Sequence, residues 1–447
     1  MPPVTARTHA YPDDLAAFVH ARWAEVDAAG PWAEGSFPNE PPPRDVVEAL
    51  VSTAYQASLL RDEERPVTFR AVLAAPDVFA AHRGPPYGVH RLIFAQPRPL
   101  DAHELRRLSQ AAKYHRALLG VQTNGSGDLQ IWGIVYTGPR WLQVSQGGRG
   151  VHASLPPVPV VSVSGPGRVT VSKGLAPVAR LAGGRLSEPE HDVFDSLWLP
   201  AVFADTRGEI WAQHAAARAA ASSPWAEVDP EFVRQLGQHF VRRIVATIRA
   251  AKHGGTIVIV PPADAARFTD EETFITLKHR FLDEEPRRRC RSLMVRTVNA
   301  LAEVCAPLVA PGVKVGWNEH ASLADPLISE LDEAIYEVAH LIAALADIDG
   351  AVVMTQRFEI LGFGGVIAGE LPDVARVARA LDVEGEHRIR ERTDLVGTRH
   401  NAAYRLCSAY HDALAVVVSQ DGGTRFVRWK GDAVTYWDQV GVAAVDT

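Results

Sequence analysis

Cysteine is scarce: Cys290, Cys305 and Cys407 are the three in 447 residues, and no CxxC pair occurs. This excludes a disulfide framework and a zinc knuckle, and it suits a reducing cytoplasm. No run of about 18 apolar residues exists, so no spanning helix is expected. The opening MPPVTARTHAYPDD lacks the apolar core of a secretory leader. Phosphate loops of the GxxxxGK[ST] type, GxSxG elbows and HExxH helices are missing, and the histidines are scattered. These absences argue against a P-loop NTPase, an α/β-hydrolase and a zinc enzyme. Positive charge is not in excess either: 46 Lys and Arg against 53 Asp and Glu leave −7. A nucleic-acid coat or a polybasic membrane anchor does not fit that balance. The expectation is a soluble, cytoplasmic protein.

What is present is enough chain for two or three domains. Residues 1–60 read as helical. DDLAAFVHARWAEVDAAG sets Leu15, Phe18, Val19, Trp23 and Val26 at helical spacing, and DVVEALVSTAYQASLL follows a proline-rich loop. Residues 61–200 change texture. PVTFRAVLAA, HRLIFAQP, LQIWGIVYTG, VPVVSVSG and RVTVSKG are short β-rich runs punctuated by glycine, with one amphipathic helix over DAHELRRLSQAAKYHRALLG. Close-spaced strands predict a small α+β domain with an antiparallel sheet. Residues 201–234 read as a helical connector.

From 235 to 447 the pattern is that of a fresh α/β domain. GGTIVIVPP is a short β-branched run between Gly-Gly and Pro-Pro, hence a buried strand. DPLISELDEAIYEVAHLIAALADIDG carries Leu327, Leu331, Ile335, Val338, Ile342 and Leu345 three or four apart, a strong helix signal. AVVMTQ, FEILGFGGVIAG, DALAVVVSQDGG and TRFVRWKGDAVTYW complete a strand-rich sheet.

Four pieces of this last third stand in a definite order: Gly254-Gly255, Asp349-Gly350-Ala351, Gly397-Thr398-Arg399-His400, and Ser419-Gln420-Asp421-Gly422-Gly423. Singly, each has a plain reading. DGA is a turn, Thr398 caps a helix with its hydroxyl, and SQDGG closes a hairpin. Together, as GGTIVIV, DGAVVM, GTRHNAA and HDALAVVVSQDGG, they resemble the diadenylate cyclase (DAC, DisA_N-type) domain, which carries a DGA motif, a downstream GTRHR-A-A motif and a following VVS strand. The resemblance spans roughly residues 235–440.

That resemblance implies a mixed sheet flanked by helices, with a domain that condenses two ATP molecules into cyclic di-AMP using Mg2+ or Mn2+. Asp349 would hold the metal, with Gly350 and Ala351 completing the motif. Gly397, Thr398, Arg399, His400 and Asn401 would meet the nucleotide, as would Ser419 and Gln420. The chemistry suits these residue types. A carboxylate holds a hard cation, glycine admits a close-approaching backbone, and an arginine fork pairs with phosphate oxygens. Helix-start N–H groups add to that positive field. Two such domains must face one another, so self-association is implied. The sequence departs from the pattern at Asn401, where the family has a second arginine, and at Gln420, where it has a glutamate. Asp421 is the nearest replacement carboxylate. An alternative expectation is therefore a domain that binds nucleotide without cyclising it.

The amino-terminal half resembles the DACNV type of sensor domain, which implies an unknown small-molecule ligand. Trp132, Tyr136 and Trp141 are candidates to line its pocket, with core and hairpin packing the favoured reading. GSGDLQIWG holds a GxG but opens no helix, so a hairpin turn is expected there. EEPRRRCRS is either a basic face toward phosphates or a solvated helix face. The fold class expected is α/β, with a C-terminal DAC-like mixed sheet preceded by a smaller α+β sensor domain.

Overall fold

A computed structural model describes residues 9–26, 40–79, 89–114, 116–137, 148–149, 155–187, 192–271, 273–367, 371–394, 396–420 and 423–439. The chain is mixed α/β and divides into two units, one formed chiefly by residues up to 189 and the other chiefly by residues 190–440. The second unit also takes in the short stretch that contains Arg149. Among the described residues no helix is long and apolar enough to cross a membrane.

The first unit is a sheet with helices on its face. Its main strands are β1 (Phe69–Leu73), β2 (His90–Pro99), β3 (Ala117–Thr123), β4 (Leu129–Tyr136), β5 (Pro159–Gly165), β6 (Arg168–Lys173), β7 (Ala176–Ala182) and β8 (Arg185–Ser187), in spatial order β8-β7-β6-β5-β1-β3-β4-β2. The sheet is not wholly antiparallel as the strand spacing predicted: β1 and β3 run parallel, with Ala71 beside Leu119 and Leu73 beside Val121. A parallel pair needs a long crossover, and helix α3 (Ala102–Ser109) lies within it. Asp101 caps that helix by accepting from the Glu104 N–H at 2.8 Å.

Helices α1 (Pro12–Arg22) and α2 (Arg44–Ser58) are not a segment apart. Leu15, Val19, Trp23, Val47, Leu50, Val51 and Ala54 share one core with Phe69, Leu119 and Val161. The helical spacing read for the first segment holds for Leu15, Val19 and Trp23, all buried. The GSGD stretch is a turn: Asn124 Oδ1 accepts from the N–H groups of Ser126 and Asp128 at 3.0 and 2.9 Å. Trp132 is core rather than pocket lining. It is 1% exposed, and a Cβ at Gly120 would stand 2.2 Å from its ring. Tyr136 is half-buried, and Trp141 lies outside the described residues.

Among the described residues the main sheet of the second unit has nine strands: β9 (Gly255–Val260), β10 (Ile275–Arg280), β11 (Ala351–Thr355), β12 (Ile360–Ile367), β13 (Arg376–Ala380), β14 (Arg388–Arg392), β15 (Leu414–Val418), β16 (Thr424–Lys430) and β17 (Ala433–Gln439). Their order is β10-β12-β11-β9-β15-β16-β17-β13-β14. One face buries Ile257, Val352 and Val416 under α4 (Ala204–Ala220), α5 (Pro230–Ala251), α6 (Glu285–Cys305) and α7 (Pro326–Leu345). The other buries Val258, Val353 and Val417 under α8 (Thr398–Ala409). Coverage on both faces is why GTIVIV, AVVMT and LAVVV are buried at every position and apolar at nearly all, rather than at alternate ones.

The helix boundaries follow side-chain chemistry. Pro230 and Pro326 sit at first-turn positions, behind Asp229 and Asp325, whose carboxylates accept from Glu231 N at 2.9 Å and Ile328 N at 3.1 Å. The residues expected to connect two domains are thus part of the second unit's core, where Ile210, Phe232 and Val233 are buried. In α7 the buried stripe is Ile328, Leu331, Ile335, Ala339 and Ile342. Leu327, expected on that stripe, is 40% exposed. The three cysteines are free and buried, and burial pushes the Cys407 thiol up to about 12.

Candidate functional site

Strand register brings the four sequence pieces to one end of the second sheet. β9 is central, parallel to β11 with Thr256 beside Ala351, and antiparallel to β15 with Gly255 beside Val418. The start of β9, the start of β11 and the finish of β15 are therefore neighbours. His253-Gly254 leads into the first, Asp349-Gly350 into the second, and Ser419-Gln420 leaves the third.

Two glycines make this junction possible. Gly254 has φ +69, and a Cβ there would stand 2.5 Å from the Val418 carbonyl oxygen, 2.9 Å from Arg399 Nη1 and 3.1 Å from the Gln420 nitrogen. Gly350 has φ +120, and its Cβ would meet the Gly364 carbonyl carbon at 2.6 Å. Neither position tolerates a side chain, because both the torsion and the space forbid it.

Arg399 enters from α8. Its Nη1 donates to the His253 carbonyl oxygen at 3.0 Å. One donor is thereby used, and a guanidinium carries five. The His253 ring continues the chain of contacts, its Nδ1 lying 2.9 Å from Asp347 Oδ1. Asp347 is two residues before the exposed Asp349. Sequence reasoning alone misses His253 and Asp347. The visible signals are an imidazole directly before Gly-Gly and a second acid in ADIDG.

Thr398 is not a capping side chain. It is the first helical residue, Gly397 holds the N-cap position with extended torsions, and no side chain caps the helix. The first turn closes with Asn401 N donating to the Gly397 carbonyl at 3.1 Å. His400 is half-buried with its ring 6.4 Å from that of Tyr404, whereas Asn401 is exposed. Ser419 N donates to the Gly423 carbonyl at 2.7 Å, just beyond β15. Asp421 and Gly422 lie outside the described residues.

The second turn of α8 rests on a partly buried polar network. Arg425 Nη1 donates to the Tyr404 hydroxyl oxygen at 3.0 Å, and Arg425 Nε donates to Asp438 Oδ1 at 2.7 Å. Burial raises the Tyr404 phenol, so it stays neutral and can accept. The arginines of EEPRRRCRS are engaged elsewhere: Arg287 pairs with Asp283 at 2.6 Å and Arg291 with Glu209 at 2.8 Å. That run is a charge-paired helix face on α6.

For a cation, the described residues offer no group of three or more His, Cys, Asp or Glu. Asp349 is one exposed carboxylate beside a backbone that glycine leaves bare. Such a donor set does not fit a metal held by protein alone. It fits a hard divalent ion that takes most of its oxygens from phosphates and water.

Comparison with known families reaches the first unit. Residues 37–136 match the family model described as "Probable sensor domain DACNV". The match covers α2 through β4, and so the parallel β1–β3 pair with its crossover. No curated protein and no solved structure matches the chain.

Proposed function

We propose that the second unit is a diadenylate-cyclase-type domain that joins two ATP molecules into cyclic di-AMP, under control of the amino-terminal sensor domain. The observation that carries this reading is the meeting of Arg399 with Gly254 and Gln420, on strands whose register sets Asp349-Gly350 alongside. In that frame the Arg399 fork and the uncapped first-turn N–H groups of α8 receive polyphosphate oxygens. The missing side chains at Gly350 and Gly254 let the strand ends and Arg399 pack close together around that site.

The reaction balances as two displacements. Each 3′-hydroxyl oxygen bonds to the α-phosphorus of the other ATP, each α–β anhydride bond breaks, and two pyrophosphates and two protons leave. Mg2+ or Mn2+ bound at Asp349 would neutralise charge on the phosphates. Because each domain brings one ATP, two copies must face one another.

The Asn401 and Gln420 positions favour a second reading, a receptor that binds nucleotide without turnover, since each lacks a charge that the cyclase pattern has. One experiment separates the two. Purified full-length chain is incubated with ATP and either metal, and cyclic di-AMP and pyrophosphate are measured. Product supports the cyclase, saturable ATP binding with no product supports the receptor, and no ATP binding removes both.

A further inference from the structure

We infer that the first unit holds a binding site for a small ring-bearing carboxylate, in a cleft of about 500 Å³ at the carboxyl ends of β1 and β3. This site is separate from the nucleotide site and does not depend on that reading. The cleft is walled by Trp23, Pro42, Val46, Ala75, Gln122 and Val158, among others. Its size lies in the usual range for small-molecule sites.

Three features place it and set its chemistry. First, β1 and β3 are a parallel pair, and the chain leaves both strands at this end, Ala74 N donating to the Val121 carbonyl at 2.9 Å. Crevices at the carboxyl ends of parallel strands are where open sheets take ligands. Second, α2 starts at the cleft. Pro43 is its N-cap residue, no side chain caps it, and Val46 in its first turn lines the wall. A 15-residue helix presents partial positive charge there.

Third, Trp23 forms part of the wall, is 1% exposed, and its Nε1–H is buried with no acceptor. A buried donor without a partner is costly, and a ligand oxygen reaching that wall supplies one. Lys173 Nζ is held against the same residue, donating to the Trp23 and Val26 carbonyls at 3.3 and 3.1 Å and lying 5.6 Å from the indole centroid. The cleft thus combines apolar proline, valine and alanine walls with the uncapped start of α2 and the unpartnered Trp23 indole N–H. That combination selects an apolar body with an anionic oxygen acceptor. Glu40, exposed at the rim, disfavours an anion lying across the mouth.

The test uses the full chain labelled at tryptophan indole nitrogens, titrated with 1-naphthoate and, separately, with the neutral 1-naphthalenemethanol. One indole N–H resonance should shift saturably with naphthoate, and it should be the one missing in Trp23→Phe. Trp23→Phe should bind naphthoate about tenfold more weakly, the scale of a hydrogen bond to a charged group. Ala75→Trp fills the exposed rim without touching the core and should abolish binding, so a misfolded Trp23 variant leaves the question decidable. No saturable shift, undiminished binding in Ala75→Trp, or equal binding of the neutral alcohol overturns the assignment. Arg399→Ala should leave the titration unchanged, which separates this site from the nucleotide reading.

Discussion

Arg399 Nη1 lies 3.0 Å from the carbonyl oxygen of His253, a residue 146 positions earlier in the chain. That bond fixes the first turn of α8 against the start of β9, and it orients a guanidinium at the strand ends where Gly254 and Gln420 meet. Removing the side chain should affect ligand and scaffold differently. Arg399→Ala should weaken ATP binding by about 1.5–3 kcal/mol, the scale of a charge-assisted hydrogen bond. Arg399→Lys should recover only part of that loss, because an ammonium lacks the bidentate fork. Calorimetric titration of both variants checks this; equal binding by wild type and Arg399→Ala removes the phosphate role.

Asp349 stands exposed at the mouth of the same junction, so its loss should leave the fold intact. Asp349→Ala should yield no detectable cyclic di-AMP while still binding ATP in the absence of metal. Because two domains must be apposed, wild-type turnover per mole of protein should rise with protein concentration. A specific activity independent of concentration over a hundredfold range contradicts apposition of two copies.

Much of this site is legible in the amino-acid sequence, and the reason is local. Gly254, Gly350 and the Arg399-His400 pair announce themselves because positive-φ positions and cationic helix starts use few residue types. The three central strands are equally plain, being nearly continuous apolar, β-branched runs. What stays hidden depends on distant partners. Nothing in PVTFRAVLAA or HRALLGVQT says that the two pair in parallel, since pairing direction belongs to the crossover rather than to either strand. RVARA and RIRER do not read as strands, yet β13 and β14 pair antiparallel with Arg376 beside Arg392 at the sheet margin. β13 buries only Val377 and Ala378, and β14 is exposed or half-exposed along its length, so neither carries a hydrophobic period to detect. His253 escapes notice because its contact with Arg399 is made by a backbone carbonyl, which no residue type advertises.

Gly350 offers a test of the junction that does not depend on catalysis. At φ +120, with a Cβ 2.6 Å from the Gly364 backbone, alanine is opposed by both torsion and contact. Gly350→Ala should destabilise the second unit by about 2–3 kcal/mol, lowering its melting midpoint by about 5–10 °C. Gly397 is the control. It has φ −66 and nothing within 4 Å of an added Cβ, so Gly397→Ala should shift the midpoint by little. Equal melting of the two variants contradicts the requirement for a bare backbone at Gly350.

His320 gives the second unit a dependence on pH. Its side chain is fully buried against Phe232 and Trp317, and neither ring nitrogen has a hydrogen-bond partner. Burial pushes its pKa down to about 3, with the charges of Arg149 and Arg243 adding to the effect. The folded value lies below the ordinary 6.5, so protons bind the unfolded chain more readily. Stability is complete above about pH 6.5 and falls as pH drops toward the folded value. Between pH 7.5 and pH 5 this one group should remove about 2 kcal/mol. His320→Leu, close in size and without a titrating group, should lose less stability over that interval by the same amount. Urea melts of both proteins at the two pH values measure the difference, and the other acid-sensitive groups cancel because both proteins share them. Parallel losses in wild type and variant would mean that the imidazole is not held neutral by burial.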